Sequence, residues 1–320
     1  MALSSVNMRG LLASLLLSTV GCASRVVHSD DIAFLRIGDK PLSDALYIMR
    51  SDGSDYDRVF LDRTLSTLSG LSLSGNRLLI NCKEYKNKTY RSFLGLWQNI
   101  GGKWEYKELP HPSGWFGSPL LFSSGTRLLS QTIGTDRKSI ALDLYDVGSG
   151  TVVHSFELTK KIGDSSSNLL WYKLLDVSGD AKEVLLIRYS REDLKANTDL
   201  QILNLSSGRL DSVTGAPSGT ATALFSPVTK DILILGTKGL QLMPHKGSQP
   251  ILLLDRAEMR GLSFRGNRGA WCARTNSVFL PLYDGKNKTS DIWCFDIDTR
   301  GLRRVAATDK GHYDYLGCAV

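Results

Sequence analysis

Short apolar runs alternate with polar, turn-forming residues along most of this 320-residue chain. Segments such as 46–49 and 144–147 contain Leu, Ile, Val and Tyr, and they are bounded by Gly, Asp, Ser or Asn. This arrangement is typical of β-strands joined by tight turns, whereas the 3.6-residue period of an amphipathic helix occurs in few windows. The pattern therefore predicts an all-β protein.

A first repeating unit consists of a strand, a turn containing Gly or a similar breaker, and a second apolar strand. Its copies lie at 71–80, 121–129, 175–187, 224–235 and 262–271. In the last copy, the unit places 262–264 and 270–271 on two successive strands. The turns also carry Arg77, Arg127 and Arg268, which we expect to be solvated.

A second unit is an alternating strand, a glycine-containing turn and another strand. Its turn glycines are spaced on average about fifty residues apart and are Gly53, Gly102, Gly150, Gly208, Gly247 and Gly301. One unit cannot bury both of its faces alone, so neighbouring units must stack. Six units of four strands each predict a six-bladed β-propeller.

The two ends of the chain predict how the ring closes. The first unit begins at what should be its second strand, 32–37, and the tail 313–320 has strand character but no unit of its own. We expect this tail to supply the missing strand of the first blade, since that leaves no open sheet edge at the junction.

The repeats resemble those of the TolB-like propeller family. The best matches are Asp31-Ile32-Ala33-Phe34 and Leu46-Tyr47-Ile48-Met49 with Asp52-Gly53, and the family's Ser-Pro pair is kept at Ser226-Pro227. The resemblance extends over nearly all of 30–320 and implies a six-bladed ring. It does not imply a Tol-system role, because we find no counterpart of the N-terminal domain that TolB carries.

The N-terminal segment resembles the signal peptide of a bacterial lipoprotein. Arg9 precedes an apolar run, and the run ends on Thr19-Val20-Gly21-Cys22, which is similar to a lipobox. We expect a signal peptide over 1–21 (starting at Met1 or Met8), a lipid on Cys22, a tether over 22–30 and the propeller over 31–320. The alternative is a plain secretory signal with Cys22 as a thiol.

Charge and location limit the class of partner. The net charge is +7, but the basic residues are spread along the chain rather than gathered in a stripe, so a nucleic-acid partner is not expected. By analogy with lipoprotein sorting, Ala23 and Ser24 favour the outer membrane, with the propeller facing the periplasm. We expect a monomer held at the membrane by its lipid.

One tetrapeptide occurs twice, and it suggests a surface for a partner. Lys86-Asn87-Lys88-Thr89 and Lys286-Asn287-Lys288-Thr289 are identical, and both fall between the second and third strands of a blade. Such loops share a face with the connections between blades. We therefore predict a basic partner face at Lys86, Lys88, Lys286 and Lys288.

Few residues point to chemistry. The chain has no G-x-S-x-G and no phosphate-binding glycine loop. The carboxylates of 52–57 suit a hairpin turn better than a calcium site. His111 and Trp115 are the best candidates for a ligand contact near the axis, and too few histidines converge there for a metal. We expect no cofactor and no metal.

Four further cysteines, Cys82, Cys272, Cys294 and Cys318, allow three full disulfide pairings, and export makes disulfides permissible. Between these alternatives and buried free thiols, we expect free thiols.

Three functional hypotheses follow. The first is a non-enzymatic scaffold that binds another protein of the cell envelope. The second is a glycan or small-ligand binding protein that uses His111 and Trp115. The third is an enzyme acting on polysaccharide fragments, with its site at the propeller axis.

Overall fold

In the part of the chain that it describes, the computed structural model contains 25 strands and no helix. The described residues are 27–28, 31–37, 45–59, 67–86, 89–109, 119–122, 124–133, 140–158, 170–190, 199–217, 219–244, 249–266, 268–306 and 312–318. No helix in these ranges is long and apolar enough to span a bilayer.

The strands of the first half of the chain are β1 (Asp31–Ile37), β2 (Ala45–Arg50), β3 (Asp57–Val59), β4 (Thr67–Ser74), β5 (Arg77–Lys86), β6 (Thr89–Ile100), β7 (Lys103–Leu109), β8 (Leu120–Leu121), β9 (Arg127–Ile133), β10 (Ile140–Asp146) and β11 (Val152–Glu157). Those of the second half are β12 (Leu170–Val177), β13 (Glu183–Ser190), β14 (Asp199–Asn204), β15 (Leu210–Ser212), β16 (Thr222–Phe225), β17 (Ile232–Gly236), β18 (Gly239–Met243), β19 (Ile251–Asp255), β20 (Leu262–Phe264), β21 (Ala270–Cys272), β22 (Ser277–Asp284), β23 (Thr289–Asp296), β24 (Leu302–Ala306) and β25 (His312–Cys318).

These strands form six antiparallel sheets arranged as a six-bladed β-propeller, which confirms the predicted fold. Blade 1 has the order β25-β1-β2-β3, and blades 2 to 5 each take four consecutive strands, beginning with β4, β8, β12 and β16. Blade 6 contains β20 to β24. Each of the six predicted strand–turn–strand units with a glycine turn corresponds to the two outer strands of a blade.

The C-terminal strand closes the ring, as the sequence predicts. β25 pairs with β1 from Ile32 opposite Cys318 to Ile37 opposite His312. Tyr313 and Leu316 on β25 are each only 1% exposed, and they pack in one cluster with Phe34 of blade 1 and Ile292 of blade 6. The closing strand therefore belongs to both the first sheet and the interface with the last.

A disulfide reinforces this closure, and the expectation of four free thiols is wrong for two of them. Cys272, at the end of β21 in blade 6, is bonded to Cys318 at the end of β25. The two residues are 46 apart in sequence, and only the circular topology brings them together. Cys82 and Cys294 are buried and form no disulfide, as expected.

The innermost strand of blade 6 is interrupted, and this corrects the predicted strand assignment. β20 and β21 both pair with β22, at opposite ends of it. They are therefore two pieces of one inner strand rather than a first and a second strand. The glycines at 266 and 269 mark a break within this strand, and the hairpin turn comes later, at 273–276.

The core lies between the blades. Leu78 and Ile80 of β5 face the cluster shared with blade 1, whereas Leu79 between them faces the cluster shared with blade 3. Because successive side chains point to opposite faces of a sheet and both faces are covered here, consecutive residues of this strand are apolar. Trp97 is 2% exposed, as expected for a residue between blades, while Trp293 is partly buried.

Candidate functional site

A cavity of about 280 Å³ lies on the axis of the ring. All six blades contribute to its wall, with at least one residue each: Leu316, Leu73, Leu120, Asp176, Phe225 and Arg268 for blades 1 to 6. The cavity lies where the innermost strands end, because Val177, Phe225 and Cys318 are final residues of their strands and also line it. We call this the cavity end of the ring.

Asp176 is the acidic group of the cavity. A β-bulge between Leu174 and Asp176 leaves Leu175 without a partner on β13, and Leu175 is fully buried between blades 4 and 5. The bulge re-aims the next side chain. Asp176 Oδ2 accepts the backbone N–H of Phe225 at 2.8 Å, and Oδ1 accepts that of Val177 at 2.9 Å. The carboxylate thus joins the inner strands of two blades while part of it borders the cavity.

The position of Asp176 changes its acidity. Burial raises the pKa of Asp176 to about 6, and this effect outweighs the two backbone hydrogen bonds and the Arg268 charge, all of which lower it. A carboxyl group with this pKa changes its charge close to neutral pH, which an ordinary aspartate does not.

Arg268 is the basic group of the cavity and corrects a second expectation. The sequence places it in a solvated turn, but the structure buries it to 4% exposure, in the break between β20 and β21. Its guanidinium donates to the Pro119 carbonyl of blade 3 at 3.3 Å, and its own carbonyl accepts the Leu316 N–H at 3.2 Å. The interrupted strand thus places a cation near the axis.

A second cation crosses the ring close by. Lys173, on the same strand as Asp176, donates to the Gly266 carbonyl of blade 6 at 3.5 Å, and its ammonium lies 5.6 Å from the centre of the Phe264 ring. Lys173 is not part of the cavity wall. Its ammonium links β12 of blade 4 to the interrupted inner strand of blade 6.

The remainder of the cavity wall is largely apolar. Leucines from four blades and Phe225 line it, together with Trp271, whose indole N–H donates to Asn276 at 3.2 Å. The polar contributions come from Asp176, Arg268, Ser178 and the backbone at several glycines. The site is therefore an apolar chamber with one carboxylate and one guanidinium.

The predicted lysine turns lie where the sequence places them. β5 ends at Lys86 and β6 begins at Thr89, while the turn of Lys286 and Lys288 joins β22 to β23. Both of these last lysines are exposed. Their turn is held by Asp284, which accepts the N–H groups of Lys286 at 2.8 Å and Asn287 at 3.2 Å. The hydrogen bonds from Asn287 and Lys286 lower the pKa of Asp284.

The lysine turn and the cavity are at opposite ends of the ring. In blade 6, Ser277 at the start of β22 pairs with Cys272 beside the cavity, and Asp284 at its other end precedes the turn. β22 is eight residues long, so its two ends lie roughly 23 Å apart at 3.3 Å per residue.

Several other predicted positions fall outside the described residues: Cys22, Lys88, His111 and Trp115. The lipid attachment and the ligand contact therefore stay predictions. The segment 52–57 forms a turn in which Ser54 N–H donates to Asp52 at 2.7 Å, as expected of a hairpin. Across the described ranges, no group of three or more His, Cys, Asp or Glu side chains could hold a metal.

Sequence reasoning missed Asp176 and Arg268. One signal was present, since Asp176 is a lone acid within the apolar run Leu174-Leu175-Asp176-Val177 of a predicted inner strand. A charge at such a position must face a cavity, a partner or the axis. For Arg268 the signal was hidden by the neighbouring glycines, which mimic a turn.

Comparison with known proteins supports the fold. The sequence matches no protein-family model, and no curated protein matches it. Among solved structures, TolB from Acinetobacter baumannii is similar with a TM-score of 0.64 at 12% identity, covering 92% of this chain and 68% of that one. A putative TolB from Agrobacterium tumefaciens gives 0.61 at 13% identity, covering 88% and 90%.

A chain of a nidogen/laminin complex is also similar, with a TM-score of 0.59 at 8% identity, covering 91% of this chain and 98% of that one. At these identities the likeness shows the fold alone. The protein is a six-bladed β-propeller, and its fold is similar to that of these TolB structures.

Proposed function

We propose that this propeller is exported, is anchored to the membrane through a lipid on Cys22, and binds another protein of the cell envelope without catalysing a reaction. The observation that carries the proposal is the disulfide between Cys272 and Cys318 at the ring closure. Disulfides form and persist in oxidising compartments and are rare in the cytosol. The disulfide therefore agrees with a signal peptide over 1–21.

The construction of the ring suits a scaffold. Each blade packs against its neighbours, and polar contacts also cross between blades at the turns. Arg77 donates to the Gly125 carbonyl at 2.8 Å, and Lys230 lies 2.7 Å from the Asp180 carboxylate. A frame held in this way presents its loops in fixed positions, which reduces the ordering cost of binding. One similar solved chain comes from a complex of two different proteins.

The lysine turns are the proposed contact surface. Lys286 and Lys288 are exposed on a turn whose backbone is held by Asp284. The backbone of this turn therefore keeps both positively charged side chains at one place on the surface. The same tetrapeptide recurs in blade 2 between β5 and β6. A partner with an acidic surface fits this end of the ring, and long-range attraction would speed its association.

In-cell crosslinking followed by mass spectrometry tests the proposal. Full-length protein with a C-terminal tag is compared with Lys286→Glu/Lys288→Glu and with the control Lys103→Glu/Arg209→Glu. The control makes the same change of net charge at exposed positions next to strand 3–4 turns, at the other end of the blades. We expect a recurrent envelope protein that the first variant loses and the control keeps.

The absence of a recurrent envelope protein, or its equal loss in both variants, would contradict the scaffold function. The same samples test export and lipid attachment. We expect an acylated Cys22 peptide and a Cys272–Cys318 disulfide peptide. An unmodified Cys22 would contradict anchoring but leave export in place, whereas reduced Cys272 and Cys318 in intact cells would contradict export.

A further inference from the structure

We propose that the axial cavity binds a small zwitterion with an apolar body, of the class of the free aliphatic amino acids. Its ammonium group would meet the Asp176 carboxylate, its carboxylate would face Arg268, and its side chain would contact the leucine-lined wall. This site is separate from the lysine turns and does not depend on the proposed scaffold function.

The size of the cavity sets the size of the ligand. Its volume of about 280 Å³ is just below the usual range for sites of drug-sized molecules. A cavity of this size suits a ligand smaller than a drug-sized molecule, such as a free amino acid.

The charges of the cavity define the charge of the ligand. One carboxylate and one guanidinium line the same space, so the site is neutral overall but carries two opposite charges at different places. The positive charge of Arg268 lowers the pKa of Asp176, and the Asp176 carboxylate accepts hydrogen bonds from backbone N–H groups. A simple cation would meet Arg268, and a simple anion would meet Asp176. A zwitterion places a favourable charge opposite each.

The wall of the cavity argues against a neutral polyol. Sugars need many hydrogen-bond partners when they leave water, since each unsatisfied hydroxyl group costs free energy. Here the wall is formed mainly by six apolar side chains: Leu73, Leu120, Leu121, Leu224, Phe225 and Leu316. An aliphatic side chain of the ligand would be removed from water against these six side chains, which favours binding.

Protonation of Asp176 should control binding. The groups that face it are the N–H of Phe225 from blade 5, the N–H of Val177 on its own strand and the charge of Arg268 from blade 6. Its pKa of about 6 means that the carboxylate is charged at pH 7.5 and mostly neutral at pH 5. A ligand ammonium needs the charged form, so affinity should fall on acidification by about tenfold, following the neutral fraction.

Titration calorimetry on the full chain tests the proposal with named probes. At pH 7.5 we expect L-leucine to bind, and N-acetyl-L-leucine and L-leucinamide, which each lack one charge, to bind at least tenfold more weakly. At pH 5 the affinity for L-leucine should fall by about tenfold. This comparison needs no variant, so it stands even if a change at Asp176 disturbs the ring.

Two variants locate the site. Asp176→Asn should abolish the pH dependence of binding and lower the affinity for L-leucine at least tenfold. Leu73→Phe should also lower this affinity, because it narrows the cavity without changing a charge. Asp57→Asn, an exposed acid on β3, is the control and should bind as wild type. No heat with L-leucine, equal binding of the blocked forms, or unchanged binding in both cavity variants would overturn the proposal. None of these outcomes bears on the crosslinking result.

Discussion

Cys272 of blade 6 and Cys318 of blade 1 are joined by a disulfide, so the two inner strands that meet at the ring closure are linked covalently. β25 is already held by its pairing with β1. The closure therefore has two components, backbone hydrogen bonds and a covalent bond, and each can be removed separately.

Removing the disulfide should weaken the ring without opening it. Cys272→Ala/Cys318→Ala releases a loop spanning 46 residues, for which the chain-entropy relation gives roughly 4 kcal/mol of lost stability. We expect a lower melting temperature, by on the order of 10 °C, and native circular dichroism at 25 °C. The comparison is made by thermal melting with Cys82→Ala as control.

The control removes a buried thiol that forms no disulfide, so it measures the packing loss alone. Equal melting temperatures for the double variant and this control would mean that the disulfide adds nothing to the closure.

Removing the closing strand should do more damage than removing the disulfide. Deletion of 313–320 exposes the inner edge of β1 and removes the side chains of Tyr313 and Leu316 from the core between blades 1 and 6. An edge strand of this kind also invites association between molecules. Thermal melting and limited proteolysis should show a larger loss than in the cysteine double variant. A truncated protein as stable as wild type would contradict closure by β25.

Gly95 on β6 should tolerate no side chain. A Cβ at this position would overlap the six-membered ring of Trp97, which is 2% exposed, and would come within 3.1 Å of the Tyr106 ring. Those two rings pack with centroids 4.9 Å apart, so neither can yield without disturbing the other. We expect Gly95→Ala to lose about 1–3 kcal/mol of unfolding free energy in urea.

Gly285→Ala is the matched control, because a Cβ at Gly285 meets nothing within 4 Å. Similar midpoints for the two variants would show that the blade accommodates the extra methyl group at Gly95.

Asp176 should make the ring less stable as pH rises from 4 to 6. Its folded pKa of about 6 lies above the ordinary 3.8. The folded protein therefore binds more protons in this window, and stability is lost with rising pH by roughly 2–3 kcal/mol. Asp180 has the opposite effect on stability, because its hydrogen bond with Lys230 lowers the pKa of Asp180 to about 2. The stability that this carboxylate contributes is lost only as the pH falls below 4.

Urea unfolding of wild type and Asp176→Asn at several pH values measures this effect. The difference in stability between the two proteins should change between pH 4 and 6 and be constant above pH 7. Asp57→Asn shows how loss of one surface charge alters the same curves. A constant difference across the whole range would mean that Asp176 ionises as it does in the unfolded chain.

The local repeats of the sequence were enough to predict the blades, because each four-strand unit is specified by its own alternation and turn glycines. The closure was also predictable, since an unpaired second strand at one end and a spare strand at the other have one simple solution. The inner strand of blade 6 was assigned wrongly because Gly266 and Gly269 look like a hairpin turn, while the real turn at 273–276 contains no glycine.

The cavity could not be predicted, because its wall is assembled from residues some fifty positions apart, one set from each blade. The bulge that directs Asp176 into it has no separate sequence signal, since Leu175 looks like any strand residue. Pairing of Cys272 with Cys318 depends in the same way on contacts across the ring.

The closure also determines the end of the ring at which the first strand begins. Because Ile32 pairs with Cys318, the chain enters the first blade at the cavity end. If Cys22 carries a lipid, a tether of about eight residues connects it to β1, and this tether spans at most roughly 30 Å when fully extended. The cavity end of the ring would then carry the tether to the bilayer, and the lysine turns would lie at the end farther from that tether.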